Sequence, residues 1–189
     1  MNTQIVLASA SPRRREILEM LGCQVTVRPS HIAEEINDLT DPKKIAAALA
    51  AQKARAVPHT QQELLLGADT VVSIGGRILR KPADQIQAKE MLTLLSGREH
   101  SVFTGFCLIQ GDREIIGTEE TKVLFHNLSQ QMIEDYLVTG EPFDKAGAYG
   151  IQGKGCLLVK EIHGDFFNVV GLPASRIFYE LKQWEKPSC

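Results

Sequence analysis

Three pairs of apolar stretches, each joined by a short glycine-containing turn, constrain the fold of this chain more than any other feature. The turns are Gly75-Gly76, Gly111-Asp112-Arg113 and His163-Gly164-Asp165. Turns of this kind favour antiparallel pairing of the two flanking strands. Windows with apolar residues at helical spacing separate the pairs. We therefore predict an α/β fold whose mixed, largely antiparallel central sheet is flanked by helices.

The remaining elements follow from apolar spacing and from residues that start and stop helices. Helices are predicted at about 12–21, 41–57, 84–95, 129–139 and 174–184. Strands are predicted at 5–8, 24–28, 64–67 continuing into 70–74, 77–79, 101–110, 114–125, 156–162 and 166–170. No G-x-G-x-x-G sequence follows the first strand, which disfavours a dinucleotide-binding fold.

The composition predicts one globular domain over residues 1–189, because 43% of the residues are hydrophobic and 23% are charged. A formal net charge of −2 provides no basic excess for long nucleic acids, so any anionic partner should be small. The chain shows no long apolar run and no basic leader, so we expect a cytoplasmic protein without membrane association. Its four cysteines form no C-x-x-C pair, which fits reduced thiols better than zinc or disulfides.

The segment at residues 9–15 joins the first strand to the first helix and resembles a phosphate pocket in its composition. Ser11 is a favourable N-cap residue, and Pro12 suits the first helical position. Free backbone N–H groups and the positive end of the helix dipole would then face the turn beside Arg13 and Arg14. The alternative is an ordinary capped helix with solvated arginines, and the segment alone does not distinguish the two.

A carboxylate interrupts an otherwise apolar stretch at Asp69, in the sequence Gly67-Ala68-Asp69-Thr70. A buried, unpaired carboxylate is strongly unfavourable, so Asp69 should be hydrogen bonded, paired with a cation or bound to a metal. The alternative is a loop aspartate that caps a turn at Gly67.

Two further charged features lie outside the apolar stretches. Lys81 precedes Pro82, which holds the lysine backbone extended and gives its side chain a defined direction. Glu34 and Glu35 place two carboxylates in the loop after the second strand, where a solvated acidic bend is the alternative.

A glycine-rich run at residues 139–153 packs four glycines and opposing charges between a helix and a strand. Glycines permit close backbone approach and positive φ angles. Asp144, Lys145, Tyr149 and Gln152 offer an ion pair, a ring and an amide, and an amide reads a base edge through one donor and one acceptor. The alternative is a compact structural loop with an internal contact between Asp144 and Lys145.

Taken together, these stretches resemble the Maf family of nucleotide pyrophosphatases from Ile5 to about Leu181. The resemblance rests on the residues 9–14 with 16–18, 52–54, 67–70, 81–82, 95–97 with 100–102, 140–153 and 169–173. It implies an elongated fold with two lobes around a deep cleft, similar to the inosine triphosphatases. It also implies hydrolysis of a nucleoside triphosphate between the α and β phosphates, with Mg²⁺ or Mn²⁺ as the divalent metal. Many members of the family are dimers, so the resemblance allows a homodimer.

The resemblance also implies roles for individual residues. Asp69, Glu35 and Lys81 match the catalytic residues, and Asp69 and Glu35 would hold the metal. The sequence leaves open whether Glu34 takes the place of Glu35. Arg13, Thr70 and Gln152 match the specificity positions of the branch that hydrolyses dTTP and UTP. The further candidates for binding the substrate are Ser9, Arg14, Lys53 and Lys145, with the two lysines on the β and γ phosphates.

We therefore predict a dTTP and UTP pyrophosphatase that clears the nucleotide pool and also accepts modified pyrimidine nucleotides as candidate substrates. Two alternatives are kept. The first is a 7-methyl-GTP pyrophosphatase, which the other branch of the family represents. The second is a nucleotide-binding regulator of cell division that performs no catalysis.

Overall fold

The computed structural model describes residues 3–33, 35–36 and 39–184. Its strands are β1 (Gln4–Leu7), β2 (Gln24–Val27), β3 (Leu65–Ile74), β4 (Arg77–Leu79), β5 (Glu99–Gln110), β6 (Arg113–Phe125) and β7 (Val159–His163). They form a 7-stranded sheet in the order β2-β1-β3-β5-β6-β7, with β4 paired to β3. β1 pairs in parallel with β2 and β3, and the other pairings are antiparallel. The prediction of a mixed, largely antiparallel sheet is confirmed.

The α-helices are α1 (Pro12–Met20), α2 (Pro42–Arg55), α3 (Gln85–Leu95), α4 (Gln130–Val138), α5 (Phe166–Val170) and α6 (Ala174–Trp184). Three short 3₁₀ segments cover Glu141–Asp144, Ala146–Ala148 and Gly153–Leu158. Side chains of Asp41, Asp84 and Ser129 accept backbone N–H groups at the starts of α2, α3 and α4, as N-cap residues do. Along the ranges that the structure describes, no helix has the length and apolar character to cross a membrane.

Helices cover both faces of the sheet. On one face, Leu66 and Phe106 pack with the buried residues of α1 and α6, and Val72 packs with those of α3 and α4. On the opposite face, Leu65 and Cys107 pack against α2. β3 and β5 are therefore apolar on both sides, and a charged residue inside either strand needs a specific partner.

α2 lies directly against the sheet because two strand glycines face it. A Cβ atom added at Gly67 would lie 2.3 Å from the carbonyl oxygen of Ala50, and one added at Gly105 would lie 2.1 Å from that of Ala46. Any larger residue at either position would push the helix away. The close packing brings Lys53, on the C-terminal half of α2, to the middle of β3.

The third predicted hairpin is wrong, because residues 166–170 form the short helix α5 rather than a strand. Residues 156–158 belong to a 3₁₀ segment, so only β7 remains of that pair. Asp165 caps α5 by accepting the N–H of Phe167 at 2.8 Å. Asn168 is buried and donates its side-chain amide to Val102 O and Thr121 Oγ1, each at 3.1 Å. A capped turn with a buried polar anchor therefore replaces the strand that the apolar run predicted.

One edge of β3 is interrupted in its middle. On the side away from β5, β1 pairs with Leu65 and Leu66, and β4 pairs only from Val72 onward. Within the described part of the sheet, residues 67–71 therefore have no strand neighbour on that side. Asp69 and Thr70 lie in this interval, where the sheet opens.

Candidate active site

A cavity of about 1010 Å³ lies where β3 lacks a neighbouring strand. Its walls come from the turn before α1, the middle of β3, the end of β4 and the glycine-rich residues 141–153. Six Arg or Lys residues and four Asp or Glu residues line it, so the cavity carries a cationic excess that suits an anionic ligand. All the predicted site residues line it except Glu35; they are Ser9, Arg13, Arg14, Lys53, Asp69, Thr70, Lys81, Lys145 and Gln152.

Asp69 is paired with Lys53 across the interface between β3 and α2. The Lys53 ammonium group donates to Oδ1 of Asp69, and the two side chains are 16% and 12% exposed. The prediction that a carboxylate in this apolar strand needs a partner is confirmed. The cation holds the carboxylate in one orientation at the cavity wall.

Arg14 holds three parts of the cavity wall together. Its Nε donates to the carbonyl of Gly171 at 2.8 Å, its Nη1 to Ser9 Oγ at 2.9 Å, and its Nη2 to Thr70 Oγ1 at 3.2 Å. The turn before α1, the central strand β3 and the end of α5 therefore meet at one guanidinium group. Arg14 was predicted to bind substrate, and the structure shows that its nitrogens already make protein contacts.

Ser11 occupies the predicted N-cap position of α1, but its side chain makes no capping hydrogen bond. Ser9 contributes instead, because its hydroxyl accepts the Ser11 N–H at 3.3 Å as well as the contact from Arg14. The turn is therefore stabilised by a serine two positions earlier than the sequence indicated.

A chain of buried hydrogen bonds runs from the cavity into the core. The hydroxyls of Thr70 and Thr104 lie 3.0 Å apart, and Thr104 donates to the carbonyl of Asn168 at 2.9 Å. Thr104 and Asn168 are fully buried. Thr70 is therefore linked on one side to Arg14 and on the other to the turn that carries α5.

Arg13 reaches across the cavity to the glycine-rich residues. Its Nη2 lies 3.4 Å from Oδ2 of Asp144, and Lys145 Nζ lies 2.5 Å from Oδ1 of the same carboxylate. Burial of the Asp144 carboxyl acts to raise its pKa, whereas the contacts with Lys145 and Arg13 act to lower it. The pKa of Asp144 is lowered overall. The internal contact between Asp144 and Lys145 was one alternative for this run. Both side chains also line the cavity.

Glu35, the predicted carboxylate of the loop after β2 that the structure describes, is not among the residues that line the cavity. Glu35 is exposed, and its backbone exchanges two hydrogen bonds with the side chain of Gln52, at 3.2 Å and 2.6 Å. Glu34 lies outside the described residues. The structure thus ties Glu35 to the α2 residue that precedes Lys53.

The metal donors of the site are few. Among residues 3–33, 35–36 and 39–184, no group of three or more His, Cys, Asp or Glu residues is placed to hold a metal ion. Asp69 brings one fixed carboxylate to the cavity. Mg²⁺ commonly binds one or two protein carboxylates and completes its shell with substrate phosphates and water. The donor set therefore fits a cation that binds together with phosphate groups, and it does not fit a cation enclosed by protein ligands.

Sequence reasoning did not single out Glu141 or His100. Glu141 lines the cavity, and its carboxylate accepts the N–H groups of Lys154 and Gly155. His100 is buried, and its Nε2 lies 2.8 Å from the hydroxyl of Tyr149. Glu141 belongs to the glycine-rich run, and His100 belongs to the stretch 100–102 that carries the family resemblance. Neither pattern indicated the partners, because the contacts join residues 13 to 49 positions apart.

Residues 4–184 match the family model described as Maf-like protein. This chain belongs to that family. The Maf-like chain is 48% identical over 183 residues to a protein of Bacillus cytotoxicus named dTTP/UTP pyrophosphatase, with 96% of each chain covered. It is 47% identical over 182 residues to a Bacillus cereus protein of the same name, covering 96% of this chain and 95% of the relative.

The fold of this Maf-like protein is also found in a solved structure with little sequence similarity. A HAM1 protein from Coxiella burnetii superposes with a TM-score of 0.54 at 17% identity, covering 96% of this chain and 99% of the HAM1 chain. At that identity the likeness concerns the fold alone. It supports the expected α/β architecture with a central sheet flanked by helices.

Proposed function

We propose that this chain is a nucleoside triphosphate pyrophosphatase that hydrolyses dTTP and UTP to the monophosphate and pyrophosphate. The observation that carries the proposal is the cationic cavity, in which Asp69, Lys53 and Thr70 lie beside the α1 turn. Relatives that are 47–48% identical over 96% of the chain are named dTTP/UTP pyrophosphatases.

The phosphate chain binds to the cationic side of the cavity. Arg13, Lys81 and Lys145 line it, and the first backbone N–H groups of α1 follow the same turn. Hydrolysis places additional negative charge on the phosphate oxygens, and cations already in position stabilise that charge without reorganisation. Most of the catalysis is therefore positioning and electrostatics.

Asp69 orients or deprotonates the attacking water. Its carboxylate is held by Lys53 at the wall of the cavity, so an oxygen of Asp69 is available in a fixed direction for a hydrogen bond to water. Proton transfer of this kind requires a hydrogen bond between the water and the carboxylate. Because Lys53 contacts Oδ1 and fixes the orientation of the side chain, this pairing supports Asp69 as the catalytic carboxylate.

We also propose that the reaction requires Mg²⁺ or Mn²⁺, held by Asp69 and by a carboxylate of the loop that contains Glu35. When bound, such an ion neutralises charge on the phosphates. The Asp69 carboxylate, held by Lys53 at the cavity wall, supports a cation that shares its ligands with the substrate.

Base recognition is assigned to Gln152, with Arg13 and Thr70 as the other specificity positions. A side-chain amide pairs with the O4 and N3–H edge of thymine or uracil through one donor and one acceptor. Thr70 supports Arg14 in this structure, so its contribution to specificity acts through the shape of the wall as well as through its hydroxyl.

The test is pyrophosphate release by the purified full chain. The panel contains dTTP, UTP, dCTP, 7-methyl-GTP and modified pyrimidine nucleotides, each with Mg²⁺, Mn²⁺ or a chelator. We expect release from dTTP and UTP that stops with the chelator. Preference for 7-methyl-GTP would establish the other branch of the family, and binding without release would establish a non-catalytic regulator.

We further propose that residues 1–189 act as one domain in the cytoplasm, without nucleic acid or membrane partners, as a homodimer. Its substrates are cytoplasmic small molecules under this proposal. Sedimentation of the purified chain measures the oligomeric state, and a monomer at micromolar concentration would contradict the dimer.

A further inference from the structure

Gln152, to which the proposed function assigns base reading, lies at the tip of a closed chain segment. The N–H of Gly150 donates to the hydroxyl of Tyr136 at 3.1 Å on one side of the tip. On the other side, a Cβ atom at Gly155 would lie 2.0 Å from the carbonyl oxygen of Gly150 and 2.8 Å from the Tyr136 hydroxyl. The two ends of residues 150–155 are therefore in contact, and Gln152 lies between them in the chain and lines the cavity.

The Glu141 carboxylate holds the second side of this segment. Its Oε1 accepts the N–H of Lys154 at 3.0 Å, and its Oε2 accepts the N–H of Gly155 at 3.3 Å. Both oxygens thus contact consecutive amides. A Cβ atom at Gly153 would lie 2.6 Å from Oε1, so the carboxylate packs directly on the backbone that follows Gln152. Gly153 has a φ of +64°, and its lack of a side chain permits both the turn and this contact.

Glu141 is itself held in place by its own backbone. Its N–H donates to Thr139 Oγ1 at 3.1 Å, and its carbonyl accepts Lys145 Nζ at 2.6 Å. The stem of Lys145 packs on Gly150, where an added Cβ would lie 2.8 Å from Lys145 Cε. The backbone that carries the Glu141 carboxylate is therefore anchored on both sides, so the carboxylate contacts residues 153–155 from a fixed position.

We propose that Glu141 is a positioning residue for base selectivity, which acts by holding residues 152–155 so that Gln152 faces the base. This inference rests on the proposed function and adds a residue that itself makes no contact with the base. Without the carboxylate, the amides of Lys154 and Gly155 lose their acceptor, and the segment gains alternative conformations. Gln152 then presents its amide in several orientations, and discrimination between base edges weakens.

The experiment compares Glu141→Ala and Glu141→Gln with the wild-type chain. The measured quantity is the ratio of kcat/KM for dTTP to that for dCTP, because these bases differ at the edge that an amide reads. We expect Glu141→Ala to lower this ratio of kcat/KM values about tenfold. A tenfold change is about the size of effect expected when one hydrogen bond to the base is lost. Glu141→Gln keeps the volume and one acceptor oxygen, so its ratio should fall less and its fold should be retained. Glu161→Gln, an exposed glutamate on β7, is the matched control.

A double-mutant cycle shows whether Glu141 acts through Gln152. Gln152→Ala alone should lower the ratio, and Glu141→Ala combined with it should lower the ratio no further. Amide hydrogen exchange at Lys154 and Gly155 should be faster in Glu141→Ala and unchanged in Glu161→Gln. An unchanged selectivity ratio in Glu141→Ala, or independent effects that multiply in the double variant, would overturn the proposal. Unchanged amide exchange would overturn it as well.

The same design separates this inference from the proposed function. If the wild-type chain releases no pyrophosphate from any triphosphate, the proposed function fails. The ratio of the dissociation constants for dCTP and dTTP then decides the role of Glu141. The inference is overturned if this ratio of dissociation constants is the same in Glu141→Ala and in the wild type. It is also overturned if the wild type binds neither dTTP nor dCTP.

Discussion

Arg14 donates through Nη2 to the hydroxyl of Thr70 at 3.2 Å, so the first helix and the central strand share a hydrogen bond at the cavity. Thr70 also lies 3.0 Å from the hydroxyl of Thr104, which is fully buried. The Thr70 hydroxyl is therefore a junction between the turn before α1 and the core beneath the sheet.

Thr70→Val should destabilise the fold by about 1–3 kcal/mol, because it removes the shared oxygen while keeping the volume of the side chain. Arg14 Nη2 and Thr104 Oγ1 would each lose a partner. The free energy of unfolding in urea measures the effect. Thr70→Ser keeps the hydroxyl and should retain most of the stability, and Thr26→Val on the exposed strand β2 is the control. Equal stability of Thr70→Val and wild type would contradict this role.

Asp69→Asn should abolish pyrophosphate release and leave the fold intact. The amide oxygen still accepts a hydrogen bond from Lys53, but an amide neither takes a proton from water nor carries the charge that a cation requires. Circular dichroism checks the fold, and a phosphate-coupled assay checks the activity. Asp112→Asn, in the exposed turn between β5 and β6, should behave as wild type. Full activity of Asp69→Asn would remove Asp69 from the mechanism.

Lys81→Ala should lower kcat by about 10²- to 10³-fold, which is typical for loss of one charge that stabilises a transition state. Lys81 is exposed and lines the cavity two residues after the end of β4. Lys160→Ala removes an exposed lysine from β7, outside the cavity lining, and serves as the control. Turnover in Lys81→Ala that matches the control would exclude the assigned role.

Asp144→Asn should tighten the binding of phosphate chains up to about fivefold, because exposed ion pairs contribute about 0.2–1 kcal/mol. In the structure, Asp144 lies within 3.4 Å of Arg13 and 2.5 Å of Lys145, and a phosphate chain competes with it for both cations. Calorimetric titration with inorganic triphosphate measures the change at low salt. Asp135→Asn on α4 is the control. Weaker binding by Asp144→Asn would show that the carboxylate aids the ligand instead.

His100 should make the fold less stable as the pH falls from about 6.5 to about 4. Burial lowers the pKa of His100 to about 4 from its usual 6.5. The unfolded chain binds a proton in this interval and the folded chain does not, so stability is complete above it and decreases with pH. Between pH 7 and pH 5 we expect a loss of about 2 kcal/mol from this group.

The matched variants for this pH dependence are His100→Gln and His163→Gln, the latter at an exposed position on β7. Urea unfolding at several pH values should give a flatter pH dependence for His100→Gln than for the wild type. Removal of the contact with Tyr149 also lowers the stability at pH 7, so only the slope is compared. A slope that His100→Gln leaves unchanged would contradict the assignment.

Local sequence determined the helices and most of the strands. Pro12, Asp84 and Ser129 mark helix starts through backbone geometry and capping within a few residues, and Gly75-Gly76 closes a turn between adjacent strands. These effects involve neighbours along the chain, so they are visible without the fold. The same reasoning identified Asp69 as a carboxylate that needs a partner, and Lys53 provides it.

The prediction from local sequence was wrong for residues 166–170, where contacts with distant residues compete with the local preference for a strand. The apolar run at 166–170 suits a strand, but Asn168 is anchored to Val102 and Thr121 in the core, and the run forms a helix. Ser11 suits a capping residue, but the Ser9 hydroxyl accepts its N–H and a contact from Arg14. At residues 166–170, partners far along the chain outweighed the local pattern. At the start of α1, a neighbouring serine accepts the hydrogen bond while the N-cap side chain makes none.

The sequence by itself determined which residue types the site contains, because an Arg-rich helix start, an aspartate in a strand and a glycine-rich run are local patterns. Only the tertiary structure decided their partners: Lys53 for Asp69, Thr70 for Arg14, and consecutive backbone amides for Glu141. The physical reason is that directional hydrogen bonds form between atoms within about 3 Å, and only folding brings distant residues to that separation.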